Sequence, residues 1–170
     1  MNPWLAAGAG LVLLAALGVV GFLVAGPERV WGLFGPPDLG PVSFETLRRR
    51  PTPNDALACP PDLCRARVDI VPPVFAVGAA DLARAFDKAI AAEPRLTLVE
   101  MSGQSRRYIQ RSCLLGFPDT IVVRFFDRAG GHSTLALYSR SQLGKGDLGV
   151  NRDRIERWLA ELLKNAPVAP

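Results

Sequence analysis

The sequence predicts an α+β fold carried behind an N-terminal transmembrane helix, with a four- to five-stranded, mostly antiparallel sheet and two helices on one of its faces. Three observations lead there. No charged side chain occurs between Met1 and Gly26, so all 20 basic and 16 acidic residues fall in the rest of the 170-residue chain. Between residues 95 and 141, four runs of strand character are separated by short turn signals. Two amphipathic helical patterns flank them, at 79–92 and 152–164.

The apolar segment comes first in the chain. Trp4 to Ala25 consists of Leu, Ala, Val, Gly, Phe and Trp. As a helix at ~1.5 Å per residue it spans roughly 33 Å, enough for a hydrocarbon core of about 30 Å. A helix also satisfies its own backbone in lipid. Trp4 and Trp31 stand near its two ends, where interfacial aromatics are favoured, and Pro27 is expected to stop it. A cleaved signal peptide fits less well, because it calls for a shorter apolar stretch, a basic start and a small-residue cleavage site. Gly8, Gly10, Gly18 and Gly21 make no single small-residue face, so no specific helix dimer is expected.

Orientation is read from two signals that oppose each other. Arg29 and Arg48-Arg49-Arg50 follow the span, which favours a cytoplasmic domain. Cys59 and Cys64 flank a Pro-Pro turn. A small-loop disulfide there would need an oxidising compartment, while two unpaired thiols in a loop fit the same spacing. The balance tips to the periplasmic side of a bacterial inner membrane.

The chain divides into an anchor at 1–26, a proline-rich stalk at 27–67 that partly wraps the domain, an α+β domain at 68–164 and a tail at 165–170. Within the domain, Asp69 to Val77 should be extended, because Pro72 and Pro73 hold it so. In the helix at 79–92, Leu82, Phe86, Ala89 and Ile90 share a face. The four strand-like runs are 95–101, 106–114, 120–126 and 132–141. The last helix should be capped by Asn151 and carries the stripe Ile155, Trp158, Leu159 and Leu162. Asp153, Arg157 and Glu161 lie at i,i+4 spacing along it.

A tight hairpin at 127–131 would put residues of equal parity on one face of the third and fourth runs. Ile121, Val123, Phe125, Leu135 and Leu137 then face the helices. Val122, Arg124, Phe126, Ala136, Tyr138 and Arg140 face the other way. That second face, half apolar and half cationic, is either a ligand surface or is covered by the proline-rich segment.

Several stretches resemble the bacterial and plastid family called domain of unknown function 1499. They are Gln110-Arg111-Ser112, Phe117-Pro118-Asp119, Tyr138-Ser139-Arg140-Ser141, Gly144 and Asp147 to Arg152. The resemblance covers about residues 68–164 and is most specific from Ser139 to Arg152. It implies a fold and an envelope or membrane setting, and it implies no activity. Some members begin the domain with an Asn-Cys pair, which has no obvious equivalent here, so neither cysteine inherits a role.

Little in the sequence carries chemistry. One histidine, His132, stands beside a Gly-Gly turn. The cysteines lack zinc-ligand spacing, so no metal is expected. Neither a nucleophile elbow nor a phosphate loop is present, and no cofactor is expected. Cys113, placed in a strand, reads as a small buried hydrophobe. The 17 arginines against 3 lysines suit anion recognition, and a GC-rich genome yields the same bias. A net charge of +4 is too low for a nucleic-acid stripe. The weak ligand-binding candidates are Arg111, Arg124, Tyr138, Arg140 and Arg152. Asp147 and Asn151 are read as a structural polar corner that braces Arg140 or Arg152.

Two functional classes follow. One is a membrane-tethered, non-catalytic module, anchored through residues 4–25, that binds a partner protein or an anionic envelope ligand such as an anionic lipid. The other is an enzyme with an atypical site around Asp119, His132 and the loop 142–151.

Overall fold

The computed structural model describes residues 3–170. Its first element, α1 (Pro3–Ala25), is apolar along its length and contains one stretch, Ala7–Ala25, long and apolar enough to cross a membrane. The helix ends at Gly26, whose φ of 80° is open to glycine and strained for other residues. The apolar helix stops just ahead of Pro27, as the sequence suggested, and Pro27 itself occupies the first turn of a new helix, α2 (Pro27–Gly32). Its fixed φ suits that position and its missing N–H costs nothing there.

The sheet has five strands, β1 (Asp55–Ala58), β2 (Leu96–Ser102), β3 (Ser105–Arg111), β4 (Pro118–Asp127) and β5 (Ser133–Ser141). They are ordered β1-β5-β4-β3-β2 and every pair is antiparallel. The α+β class and the antiparallel meander are as the sequence predicted. The first strand differs. Residues 69–77 form only isolated bridges, Ile70 to Ala58 and Phe75 to both Ser133 and Val168. Pro72 and Pro73 hold that segment extended, yet a proline cannot donate to a ladder. The strand that pairs with β5 lies instead at 55–58, inside the stretch read as stalk.

Helices α3 (Ala79–Ala89) and α4 (Val150–Leu163) cover one face of the sheet. Ile121, Val123, Phe125, Leu135 and Leu137 meet them there, as the parity argument required. Phe86 packs edge-on against Phe125 at 5.5 Å and Trp158 at 5.8 Å, and all three rings are fully buried. Tyr108 adds a further edge contact to Trp158 at 6.2 Å. Such pairs contribute about 0.5–1.5 kcal/mol each beyond their buried area.

The opposite face is closed by the proline-rich segment. Phe44, Leu57, Cys59 and Cys64 pack on Val122, Ala136 and Tyr138 as a second apolar cluster. Cys59 and Cys64 are joined by a disulfide that ties off this layer, with their Cα atoms 6.3 Å apart. The C-terminal residues are also docked, since Ala76 N–H donates to Pro167 O, Ala169 N–H donates to Val74 O, and Ala166 is buried.

Candidate functional site

The two cores leave one end of the sheet as the place where loops converge. β3 stops at Arg111 because the chain turns back on itself there. Ser112 N–H donates to Phe117 O, and Phe117 N–H donates to Ser112 Oγ. Cys113 therefore sits in an exposed turn rather than buried in a strand. Leu114 and Leu115 are exposed beside it. At the same end, β5 runs into the loop 142–149 and then into α4.

A cleft of about 370 Å³ opens between these two loops. Phe117, Pro118, Leu143, Leu148 and Val150 supply an apolar lining, with Asp119 and Ser141 among its polar members. Asp119 and Ser141 are nearly inaccessible to solvent, which sets them at the floor.

Beneath the floor lies a buried polar network. Arg154, on the first turns of α4, donates from Nη2 to Asp119 Oδ2 at 2.6 Å and from Nη1 to Ser139 Oγ and Asn151 Oδ1, each at 2.7 Å. Its Nε donates to Gln110 Oε1, and Gln110 Nε2 passes the connection to Glu93 at 2.9 Å. Asn151 Nδ2 donates to Ser141 Oγ at 2.9 Å and Asp147 Oδ2 at 2.7 Å. A cation with this many fixed acceptors holds strands β3, β4 and β5 and helix α4 in one register.

Asp147 and Asn151 do form a polar corner, but not around the arginines first considered. The Asp147 carboxylate accepts the backbone N–H groups of Gly149 and Asn151, each at 3.0 Å. Asp147 is therefore the side chain that caps the start of α4, where Asn151 was expected. Gly149, with φ of 84°, is the N-cap residue itself, and Asn151 is fully buried inside the helix. The braced arginine is Arg154, which the sequence reading passed over. Its position three residues after Asn151, on the same helical side as Ile155 and Trp158, was the available signal.

The other predicted residues disperse. Arg111 pairs with Glu28 at 3.1 Å and donates to Gly116 O. Arg124 pairs with Glu45 at 3.2 Å, over the ring of Phe126. Tyr138 is buried with its hydroxyl donating to Asp55, and burial followed by that hydrogen bond raises its pKa. Arg140 Nη2 donates to Leu39 O at 2.8 Å and Gly40 O at 2.7 Å, and burial lowers its pKa. Arg152 is exposed and pairs with Glu156 at 2.8 Å, whereas the expected pairs of Arg157 with Asp153 and Glu161 are not among the ion pairs of the described residues. Arg157 instead reaches Glu93 at 3.2 Å. Burial raises the Glu93 pKa, but the hydrogen bonds from Arg157 and Gln110 hold it below the ordinary value.

His132 does not join Asp119. In the β4–β5 ladder Asp119 is opposite Ser141, whereas His132 precedes Ser133, which is opposite Asp127. The two residues are thus at opposite ends of the hairpin, roughly 26 Å apart at 3.3 Å per residue. The Asp119 carboxylate is instead paired with Arg154. Among the described residues no group of three or more His, Cys, Asp or Glu side chains is placed to hold a metal ion.

One set of contacts links the cleft to α1. Trp31 stacks on Phe117 with ring centroids 4.4 Å apart, and its Nε1–H donates to Leu115 O at 2.6 Å. Gln142 Nε2 donates to Gly35 O at 2.6 Å. A side chain at Gly116 would meet Pro27 at 2.9 Å, so only glycine lets the turn approach this closely. The end of the apolar helix therefore lies against the cleft end of the sheet.

A family model described as a protein of unknown function (DUF1499) matches residues 51–162. The matched segment begins just before β1 and ends within α4, so it takes in every strand of the sheet. No curated protein matches the chain.

Proposed function

Because the chain belongs to the DUF1499 family, whose description carries no activity, we propose its function from geometry: it is a membrane-tethered, non-catalytic binding module that works at its membrane-facing end. The observation that carries this reading is the clamp of Trp31 on Phe117 and Leu115. It sets the cleft directly beyond the end of α1, so a span through residues 4–25 holds the cleft at the bilayer surface. The ligand class that suits this end is anionic, because exposed Arg50 and Lys145 stand beside cleft residues with no carboxylate partner among the described residues. The locked Asp119 and the distant His132 favour binding over catalysis.

A second reading, in which the ligand is a partner protein, is supported by β2. It is a free edge of the sheet with Leu98, Val99 and Met101 exposed. The bulge between Leu98 and Glu100 interrupts the edge as a pairing template.

The domain is proposed to face the periplasm of a bacterial inner membrane, supported by the Cys59–Cys64 disulfide. Carbonate washing of membranes carrying the full-length protein tests the tether, and the protein should stay in the pellet. An epitope placed after Pro170 should be reached by antibody in spheroplasts without detergent. Release by carbonate would overturn the tether, and an epitope hidden until the membrane is opened would overturn the sidedness.

A further inference from the structure

The cleft end of the domain has a surface unlike the rest. Leu33, Phe34, Leu114 and Leu148 are all strongly exposed, and Leu148 has no cover at all. Leu148 also lines the cleft, together with Phe117, Leu143 and Val150. A soluble domain rarely presents this many large apolar side chains on adjacent loops unless something covers them. Their position identifies the cover, because they surround the contact of α2 with the 112–118 turn, immediately beyond the apolar helix.

The charges at the cleft mouth have a definite sign. Asp119 is neutralised by Arg154, and Asp147 is consumed by Gly149 and Asn151. Arg50 lines the neighbouring groove and donates to the backbone carbonyl of Ser141, a cleft residue, at 3.3 Å. Lys145 lies between Gly144 and Gly146, both of which line the cleft. Two cations thus flank the residues of an apolar space of about 370 Å³, within the range of roughly 300–1,000 Å³ typical of ligand pockets.

From this we infer that the cleft binds an anionic membrane lipid, with an acyl chain against Phe117, Leu143, Leu148 and Val150 and the headgroup against Arg50 and Lys145. The inference rests on the tether reading above and names its ligand. Leu114 and Leu148 enter the bilayer surface around the cleft mouth, so the chain passes from bilayer to protein without crossing water. The Arg154 network keeps the floor rigid and does not itself touch the headgroup.

The test uses the full-length protein in phosphatidylcholine vesicles containing a trace of phosphatidylglycerol with a photoactivatable acyl chain. After illumination, labelled peptides are mapped by mass spectrometry. Label is expected on 112–118 and 142–150 as well as on α1. Gly146→Phe should abolish the cleft label, since nothing lies within 4 Å of a side chain built at Gly146 and the backbone there is unstrained. Leu148→Asp, at a fully exposed position, should lower it without a change in melting temperature. Arg50→Glu and Lys145→Glu should each lower cleft label by at least about fivefold, from an attraction near 1 kcal/mol per charge. Label confined to α1, or cleft label unchanged by Gly146→Phe, would overturn the inference and leave the tether intact. Equal cleft label from a phosphatidylcholine probe would overturn the anionic headgroup. Failure to label α1 at all would overturn the tether itself.

Discussion

The Arg154 guanidinium and the Asp119 carboxylate meet at 2.6 Å with both side chains nearly inaccessible to solvent. They join α4 to the start of β4 under the floor of the cleft. Taking one charge away leaves the other buried without its counterion, a change that costs about 3–5 kcal/mol. Asp119→Ala is therefore expected to lower stability by that amount in urea unfolding. Replacing both, as Asp119→Leu with Arg154→Met, should cost less than the sum of the two single changes.

Asp147→Ala removes the carboxylate that accepts from Gly149 N–H, Asn151 N–H and Asn151 Nδ2. A lost helix cap costs about 0.5–2 kcal/mol, and an orphaned buried donor adds about 1–3. The expected result is a lower melting temperature. An unchanged melting temperature would assign Asp147 to the ligand rather than to the architecture.

Trp158 is completely buried between Phe86 and Tyr108. Trp158→Ala should cost about 3–5 kcal/mol. A loss below about 1 kcal/mol would mean that the ring is not held in the core.

The boundary of the folded unit is open to the same treatment. We propose that it begins near Gly35 rather than at residue 68, since Arg140 donates to the carbonyls of Leu39 and Gly40 and Gln142 to that of Gly35. A chain starting at Pro41 leaves the Arg140 head buried without those acceptors. Hydrogen bonds of a charged group are worth about 1.5–3 kcal/mol each. The chain starting at Gly35 should accordingly be more stable than the one starting at Pro41 by at least about 2 kcal/mol in denaturant titration.

Acid should weaken the fold through Asp69 and Glu93. Burial raises both pKa values, but hydrogen bonds outweigh it, from Arg49 and Leu57 N–H to Asp69 and from Arg157 and Gln110 to Glu93. Both groups end below their ordinary values of 3.8 and 4.5. A carboxylate whose folded pKa is depressed contributes stability that is fully present above its unfolded pKa and lost as pH falls through the folded one. The melting temperature should hold down to about pH 5 and then fall, and Arg157→Met should flatten that fall.

Much of the fold could be read from period and punctuation. The alternation at 120–126 and 132–141 placed Ile121, Val123, Phe125, Leu135 and Leu137 on the helix side. β1 escaped because Asp-Ala-Leu-Ala has weak strand propensity and stands among prolines; its pairing to β5 is decided by tertiary context. The site was less legible. Loop composition pointed to Asp147 and Asn151, yet Arg154 looked like one more helix-surface arginine. Its place on the same helical side as Ile155 and Trp158 hinted at burial, but nothing local named its partners Gln110, Asp119 and Ser139, which come from three different strands. Arg111, Arg124, Arg140 and Arg152 were candidates for ligand binding, but each arginine settled on its own nearby carboxylate or carbonyl.

The segment that leads from α2 to β1 also roofs the outer face of the sheet. Tether and roof are therefore one mechanical element. If α1 is the proposed membrane span, a pull between bilayer and domain loads the Trp31–Phe117 stack first, then the carbonyls of Leu39 and Gly40 held by Arg140, and then Phe44. On the proposed tether, the domain would not be drawn away from the lipid without peeling open its own outer layer, so its height above the membrane and the integrity of that layer would form a single variable under tension.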